Sequence, residues 1–266
     1  MPSLGPALPA LRRGVGGVLL LAVASTSLVG QIRYQRGQNV APVFEGWQRN
    51  DDGSYRFFFG YLNRNHEEII DLPVGATNHF SPGPADRGQP THFLTRRHRF
   101  VFEVEVPASW GEEDRLTWTL TANGRTDSVQ GWLQPEWEAD DGVIQMNLGP
   151  GGTPPPNARP EVTGSPAQRV AVGEPLRLTA TATDDGIPRP SASAGEDGNG
   201  LQVRWIHYRG AGTVTFDAAR TVGRHGQPVE APTTARFDTP GTYVLRAIAF
   251  DRLFEAWHDV AVTVAP

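Results

Sequence analysis

The sequence predicts an all-β protein: two antiparallel β-sandwich domains joined by a Pro/Gly-rich linker and preceded by a signal segment. Three observations predict it. Apolar and polar residues alternate in run after run, the two-residue period of a strand, and no stretch shows helical periodicity. Prolines and glycines crowd residues 149–160, where no apolar residue could anchor a core, leaving 38–148 and 161–266 as domains of ordinary size. The apolar run 14–30 follows Arg12-Arg13 and reads as an export signal of residues 1–30, with small residues at Ala22-Val23-Ala24. The same run also reads as an uncleaved anchor, and the paired arginines leave the general and twin-arginine routes open.

Composition removes several chemistries. The 266 residues contain no cysteine, so disulfides, thiolate catalysis, Cys-ligated metals and a lipobox anchor are excluded. All 24 basic residues are arginine, which removes Schiff-base catalysis, a P-loop lysine and any serine-lysine hydrolase. Residues 31–150 hold 11 arginines against 17 acidic residues and residues 151–266 hold 11 against 12. That balance makes nucleic acid a poor partner.

In the first domain, Asp52-Gly53 suggests a two-residue hairpin turn leading into a strand with Tyr55, Phe57, Phe59 and Tyr61 on one face. Phe100, Phe102, Val104 and Val106 alternate with Glu103 and Glu105. Leu116, Trp118 and Leu120 alternate with threonines, and Asn123-Gly124 turns the chain into a second strand. There Trp132 falls on the polar face, packed beneath a loop or the neighbouring domain or serving as a stacking surface for a ligand.

Between these strands, residues 73–98 form a loop longer than connections usually are. Phe80 and Phe93 are its expected anchors; Pro82, Pro84 and Pro90 stiffen it; Asp86-Arg87 stands at its tip. Arg87 with His79 and His92 forms a candidate site for an anionic or hydroxylated group, and the alternative is a structural contact of Asp86 or Arg87 that fastens the loop. His79, Asp86, His92 and His98 are zinc-ligand types whose spacing matches no ligand motif. His66-Glu67-Glu68 begins like a zinc-protease helix, but Ile70 stands where the second histidine belongs. Arg96, Arg97 and Arg99 could grip an anion, but alternation splits them across a strand start, so they are expected to be solvated or paired across strands.

The linker is expected to be an extended spacer. Beyond it, Leu176–Ala182, Leu201–Trp205, Gly212–Phe216, Thr234–Phe237, Gly241–Asp251 and Val260–Val264 supply strands at sandwich spacing. Acidic-Asp-Gly triplets at 51–53, 140–142, 184–186 and 196–198 read as turns. Asp184, Asp185 and Asp251 could converge at one end of the second sandwich, which makes calcium the candidate cation, though no complete calcium loop is present.

Two resemblances follow from these residues. Asp52-Gly53-Ser54-Tyr55, Phe59–Asn65, Pro82–Phe93 and Trp118-Thr119-Leu120 look like an uncharacterised family of exported bacterial proteins, which implies a compartment but no reaction. Trp205, Gly241-x-Tyr243-x-Leu245 and the closing Val-x-Val-x-Val resemble bacterial PKD-like and other immunoglobulin-like modules. That likeness implies that Tyr243 caps a corner, Trp205 fills the core, and Leu178 and Leu245 stand where antibody domains carry cysteines. The Trp-x-Phe-Gly-Asp-Gly run of PKD domains is absent after Trp205. Such modules space or bind rather than catalyse, so the sequence reads as a secreted or periplasmic non-catalytic protein with a protein or envelope polysaccharide as partner, without membrane contact beyond the signal segment. The alternative is a secreted hydrolase or metal-dependent enzyme using the 73–98 loop.

Overall fold

Hairpin β1 (Val40–Arg49) and β2 (Tyr55–Asn63) opens the first sandwich in a computed structural model that describes residues 34–189 and 197–266. The signal segment 1–30 and Glu196 of the fourth acidic triplet lie outside the described residues. The connection is longer than the two residues expected. Pairing ends at Arg49↔Tyr55, so Asn50–Ser54 form the loop, closed by Asn50 N–H donating to Ser54 O at 2.9 Å with Gly53 at φ 85°. Asp52 accepts from the hydroxyl and the backbone N–H of Ser54, at 2.6 and 2.9 Å, so this acid serves the turn.

The first sandwich continues with β3 (Ile70–Asp71), β4 (Asn78–Ser81), β5 (His92–Phe93), β6 (Arg96–Val106), β7 (Leu116–Ala122) and β8 (Arg125–Gly131). Sheet β1-β2-β6 and sheet β4-β7-β8 share a core, and β3 pairs with β5. The expected aromatic face is that core: Phe59 lies 5.2 Å from Phe80, 5.6 Å from Phe102 and 6.0 Å from Trp118, ring centre to ring centre. Trp118 is fully buried because its one polar atom is satisfied: Nε1 donates to Asn78 Oδ1 at 2.9 Å. The Asn123-Gly124 turn is as expected, with both residues at positive φ between the paired Ala122 and Arg125.

Two expectations fail here for physical reasons. Phe100 leaves the face of Phe102, Val104 and Val106, because β6 bulges. Phe59 pairs with Phe102 but Tyr61 pairs with His98, so three residues of β6 oppose one of β2, and Phe100 takes a positive φ of 49°. Its ring turns to the opposite face and meets Phe58 at 5.7 Å. Helix also exists: a 3-10 turn (Pro135–Trp137) and α1 (Asp141–Leu148). Asp140-Asp141-Gly142 is therefore not a turn but a helix start, with the Asp140 side chain accepting from Val143 N at 2.8 Å. Eight residues are too few for periodicity to announce a helix that tertiary packing holds.

The second sandwich comprises β9 (Glu161–Gly164), β10 (Gln168–Ala171), β11 (Leu176–Leu178), β12 (Ala180–Thr183), β13 (Asp197–Arg209), β14 (Val214–Phe216), β15 (Arg220–Arg224), β16 (Val229–Glu230), β17 (Thr233–Phe237), β18 (Gly241–Phe250) and β19 (Glu255–Ala265). A five-stranded sheet β10-β19-β18-β13-β15 faces two three-stranded ones, β11-β17-β14 and β16-β12-β9. The run Leu176–Ala182 splits at Thr179 between those two small sheets, yet Leu176, Leu178, Ala180 and Ala182 still enter one core. Tyr243 makes the expected corner, its hydroxyl donating to Thr239 O at 2.7 Å. Trp205 is buried and donates from Nε1 to Ala231 O at 3.0 Å, while Leu178 and Leu245 are buried where the resemblance placed them. The fold class is thus as expected, β-sandwiches of antiparallel strands, with β10 joining β19 as a parallel edge.

A third core joins the two sandwiches. Phe58 and Phe100 from the first, Ala139 and Ile144 around α1, and Phe254 from the second are buried together. The linker is fastened rather than a free spacer: Asn157 Nδ2 donates to Asp251 Oδ2 at 2.9 Å, Ala158 N–H to Asp185 Oδ2 at 3.0 Å, and Arg159 pairs with Asp141 at 2.8 Å, while Gly151 and Gly152 turn at positive φ.

Candidate functional site

Alternation gives the five-stranded sheet two faces. Leu201, Val203 and Trp205 of β13 point into the second core, so Arg204 and Ile206 point out; their antiparallel partners Ile248 and Arg246 of β18, and Trp257 of β19, share that outward face. An outward face in water should be polar throughout. This one carries Ile206, Tyr208, Ile248 and Trp257 because the first sandwich covers it.

Arg246 is the centre of that junction. It is only 3% exposed, and its charge is matched by a two-point contact with Asp259, Nε to Oδ1 at 2.7 Å and Nη2 to Oδ2 at 2.8 Å. Its remaining nitrogen, Nη1, donates across the junction to Val101 O at 2.6 Å. The guanidinium also lies 3.6 Å from the centre of the Tyr208 ring and 4.6 Å from that of Trp257.

Beside Arg246 the two sandwiches leave a cleft of about 350 Å³. Arg97, His98 and Arg99 of β6 line one wall; Arg204, Arg246 and Glu255 line the other, with Leu148 of α1 at the edge. Arg97 is held by Glu45 of β1 at 2.7 Å, and the strand between them carries Gly60, where any side chain would collide with both. Burial raises the Glu45 carboxyl despite Arg97 beside it. Arg204 pairs with Glu255 at 2.9 Å, and burial raises that carboxyl too. His98 is held below the ordinary histidine range, first by burial and further by the positive charges of Arg204 and Arg97. Arg99 donates to Asn147 O at 2.9 Å; among the described contacts it forms no ion pair, though its charge acts on Glu45.

The residues singled out in the loop have other engagements. Asp86 forms a two-point contact with Arg209 of the second sandwich, at 2.8 and 3.1 Å, and this hydrogen bonding holds its carboxyl below the usual range. Around it, Tyr208 donates to Gly88 O at 2.6 Å, Arg209 Nε to Gln89 O at 2.7 Å, and Thr91 N–H to Tyr208 O at 3.2 Å. Phe80 and Phe93 are buried anchors. Arg87 reaches back to Pro82 O at 3.3 Å, His79 Nδ1 lies 3.1 Å from Gly75 O, and His92 Nδ1 lies 2.6 Å from Asp71 Oδ1. Among the described contacts, none joins His79, Arg87 and His92 to one another. His92 instead stacks at 4.1 Å on His207, a buried residue that sequence reading passed over.

Trp132 is half-buried, stacked at 6.3 Å on Trp137 and at 6.4 Å on Phe44, with Arg115 5.0 Å from its ring centre. Trp137 was also passed over, and it is 41% exposed. At the far end of the second sandwich Asp184 and Asp251 line one small hollow, whereas Asp185 turns to Ala158 and Ile187. Asp184 is pushed up to about 6 by burial and by the charges of Asp251 and Asp185, and its Oδ1 has no hydrogen-bond partner. No group of three or more metal-ligating side chains occurs among the described residues, and no helix among them is long and apolar enough to cross a membrane.

No family model matches the chain, and no curated protein matches it. Among solved structures, the PKD domain of an M14-like peptidase from Thermoplasmatales archaeon SCGC AB-540-F20 is 24% identical, covering 43% of this chain and 100% of its own, at a TM-score of 0.26. The D00-D0 domain of Intimin is 12% identical, covering 85% of this chain and 100% of its own, at 0.27. Domains 4 and 5 of the S-layer protein SbsC are 11% identical, covering 86% and 98%, at 0.26. At such scores the likenesses carry no argument; the immunoglobulin-like architecture rests on the strand pairing and the Tyr243 corner.

Proposed function

We propose that the chain is an exported, non-catalytic binding protein, secreted or periplasmic, whose partner is a polysaccharide of the cell envelope. The observation that carries this reading is the Trp132–Trp137 pair: two near-parallel indoles, backed by Phe44 and flanked by Arg115, with Trp137 open to solvent. An indole face presents flat apolar area at little entropic cost, which suits the C–H face of a sugar ring. Export is supported by the signal segment and by the resemblance of the first domain's motifs to exported bacterial proteins. Against the hydrolase or metal-enzyme alternative, three of the acid-base groups of the 73–98 loop are spent on fastening it: Asp86 on Arg209, His92 on Asp71, His79 on Gly75. A glycan array run beside an envelope pull-down tests the proposal. Glycan retention lost in Trp137→Ala at unchanged melting temperature is the expected result; a retained protein partner with no glycan signal would replace the polysaccharide with a protein surface.

A second reading, a structural calcium ion at Asp184 and Asp251 without the expected Asp185, is favoured by their shared hollow and the unpartnered Oδ1 of Asp184. A melting temperature that rises in calcium and falls in chelator supports it, and equal values remove it.

A further inference from the structure

We propose that the cleft between the two sandwiches binds a small organic monocarboxylate, with its charged end at Arg99 and Arg204 and its carbon body against Ile206 and Ile248. The site is distinct from the tryptophan pair and does not depend on that reading.

Charge counting within the cleft points to the ligand. Four guanidiniums, those of Arg97, Arg99, Arg204 and Arg246, line it, and Glu255 is the acidic residue among its lining. Glu45 neutralises Arg97 from β1, Asp259 neutralises Arg246, and Glu255 neutralises Arg204. Arg99 is left over. Its one described bond is to the neutral carbonyl of Asn147 and it reaches Glu45 only through its charge, so the guanidiniums of the cleft outnumber their paired carboxylates by one. One added negative charge balances it. A carboxylate supplies that, while a phosphate monoester carries about 1.5 to 2 negative charges near neutral pH and would overshoot.

Geometry agrees with charge. A volume of about 350 Å³ falls within the range of small-molecule pockets, roughly 300 to 1,000 Å³. Arg204 engages Glu255 through Nη2, and its planar fork has further N–H groups to offer a carboxylate. Ile206, Ile248 and Leu148 provide apolar wall on the same lining, so a bare inorganic ion would leave much of the cleft unfilled. The arginines come from both sandwiches, which makes the site a product of the junction.

Isothermal titration calorimetry on the full chain at low salt, with glucuronate, glucose and inorganic phosphate as separate probes, tests the proposal. Glucuronate should bind, glucose should not, and raising salt should weaken the glucuronate signal. Arg99→Gln should reduce glucuronate affinity by about tenfold or more with little change in melting temperature, since Arg99 is exposed and its bond to the fold is single. The paired variant Arg204→Gln with Glu255→Gln removes the second anchor without stranding a buried carboxylate, and it should weaken binding as well. Trp137→Ala should leave glucuronate binding intact. Absence of glucuronate binding, equal binding of glucose, tighter binding of phosphate, or affinity untouched by Arg99→Gln would each overturn the proposal.

Discussion

Inside each sandwich the core is apolar and made by residues that alternate along strands; the cleft between the sandwiches, beside their small apolar joint, is charged and aromatic and lined from the opposite faces of the same strands. β13 shows both. Val203 and Trp205 lie in the second core, while Arg204, Ile206 and Tyr208 line the cleft toward the first sandwich. The difference teaches that one strand can be read for its core and still conceal its second partner. A core residue needs only to be apolar and in phase, whereas a junction residue needs a matching group delivered by a distant segment.

The largest expected effect belongs to the core. Trp118→Ala should destabilise the protein by about 3 to 5 kcal/mol, since it opens a cavity beneath Phe59, Phe80 and Phe102 and leaves Asn78 Oδ1 without its donor. Urea denaturation monitored by fluorescence and circular dichroism measures it.

Next comes the junction. Arg246→Gln should cost about 3 kcal/mol, because Asp259 loses its two-point partner and Val101 O its donor. After proteolytic cleavage between residues 150 and 156, the wild-type halves should stay together in native size-exclusion chromatography and the variant halves should separate. Separation of the wild-type halves would reduce the junction to a minor contact.

Acid should weaken the junction further than the cores. His207 is held down to about 4 from an ordinary value of 6.5, chiefly by burial and then by His92. The unfolded chain therefore takes up a proton on this residue while the folded chain does not, so stability is complete above about 6.5 and falls as the pH drops toward 4. The loss should be about 3 kcal/mol across that window. Asp86, whose carboxyl is lowered, acts in the same direction at lower pH, through loss of its contact with Arg209. Melting temperatures across pH 4 to 7 test this, and His207→Phe should flatten the curve.

The smallest effect is expected at the loop clasp. Asp86 is exposed, so Asp86→Asn should cost less than about 1 kcal/mol. Hydrogen exchange at Gly88 and Gln89 should nonetheless quicken, because Arg209 is aligned on the Gln89 carbonyl in part by its contact with Asp86.

By itself the sequence determined the fold class, the aromatic face of β2, the Asn123-Gly124 turn, the Tyr243 corner, and Phe80 and Phe93 as loop anchors. Each depends on neighbours a few residues away or on phase along a single strand, and both are written locally. The apolar residues on the outward face of β13 and β18, Ile206, Tyr208 and Ile248, were a visible sign that something covers that face. Tertiary structure alone decided what does. The bulge that turns Phe100 away from its expected face depends on β2 pairing with β6. The short helix α1 stands because Ile144 is buried with Phe58 and Phe254, more than eighty residues away on either side. Asp86 meets Arg209, and Arg99 is left without an ion pair among the described contacts, for the same reason: which charges meet is set by where distant strands come to rest, and electrostatic pairing carries no period that a sequence can display.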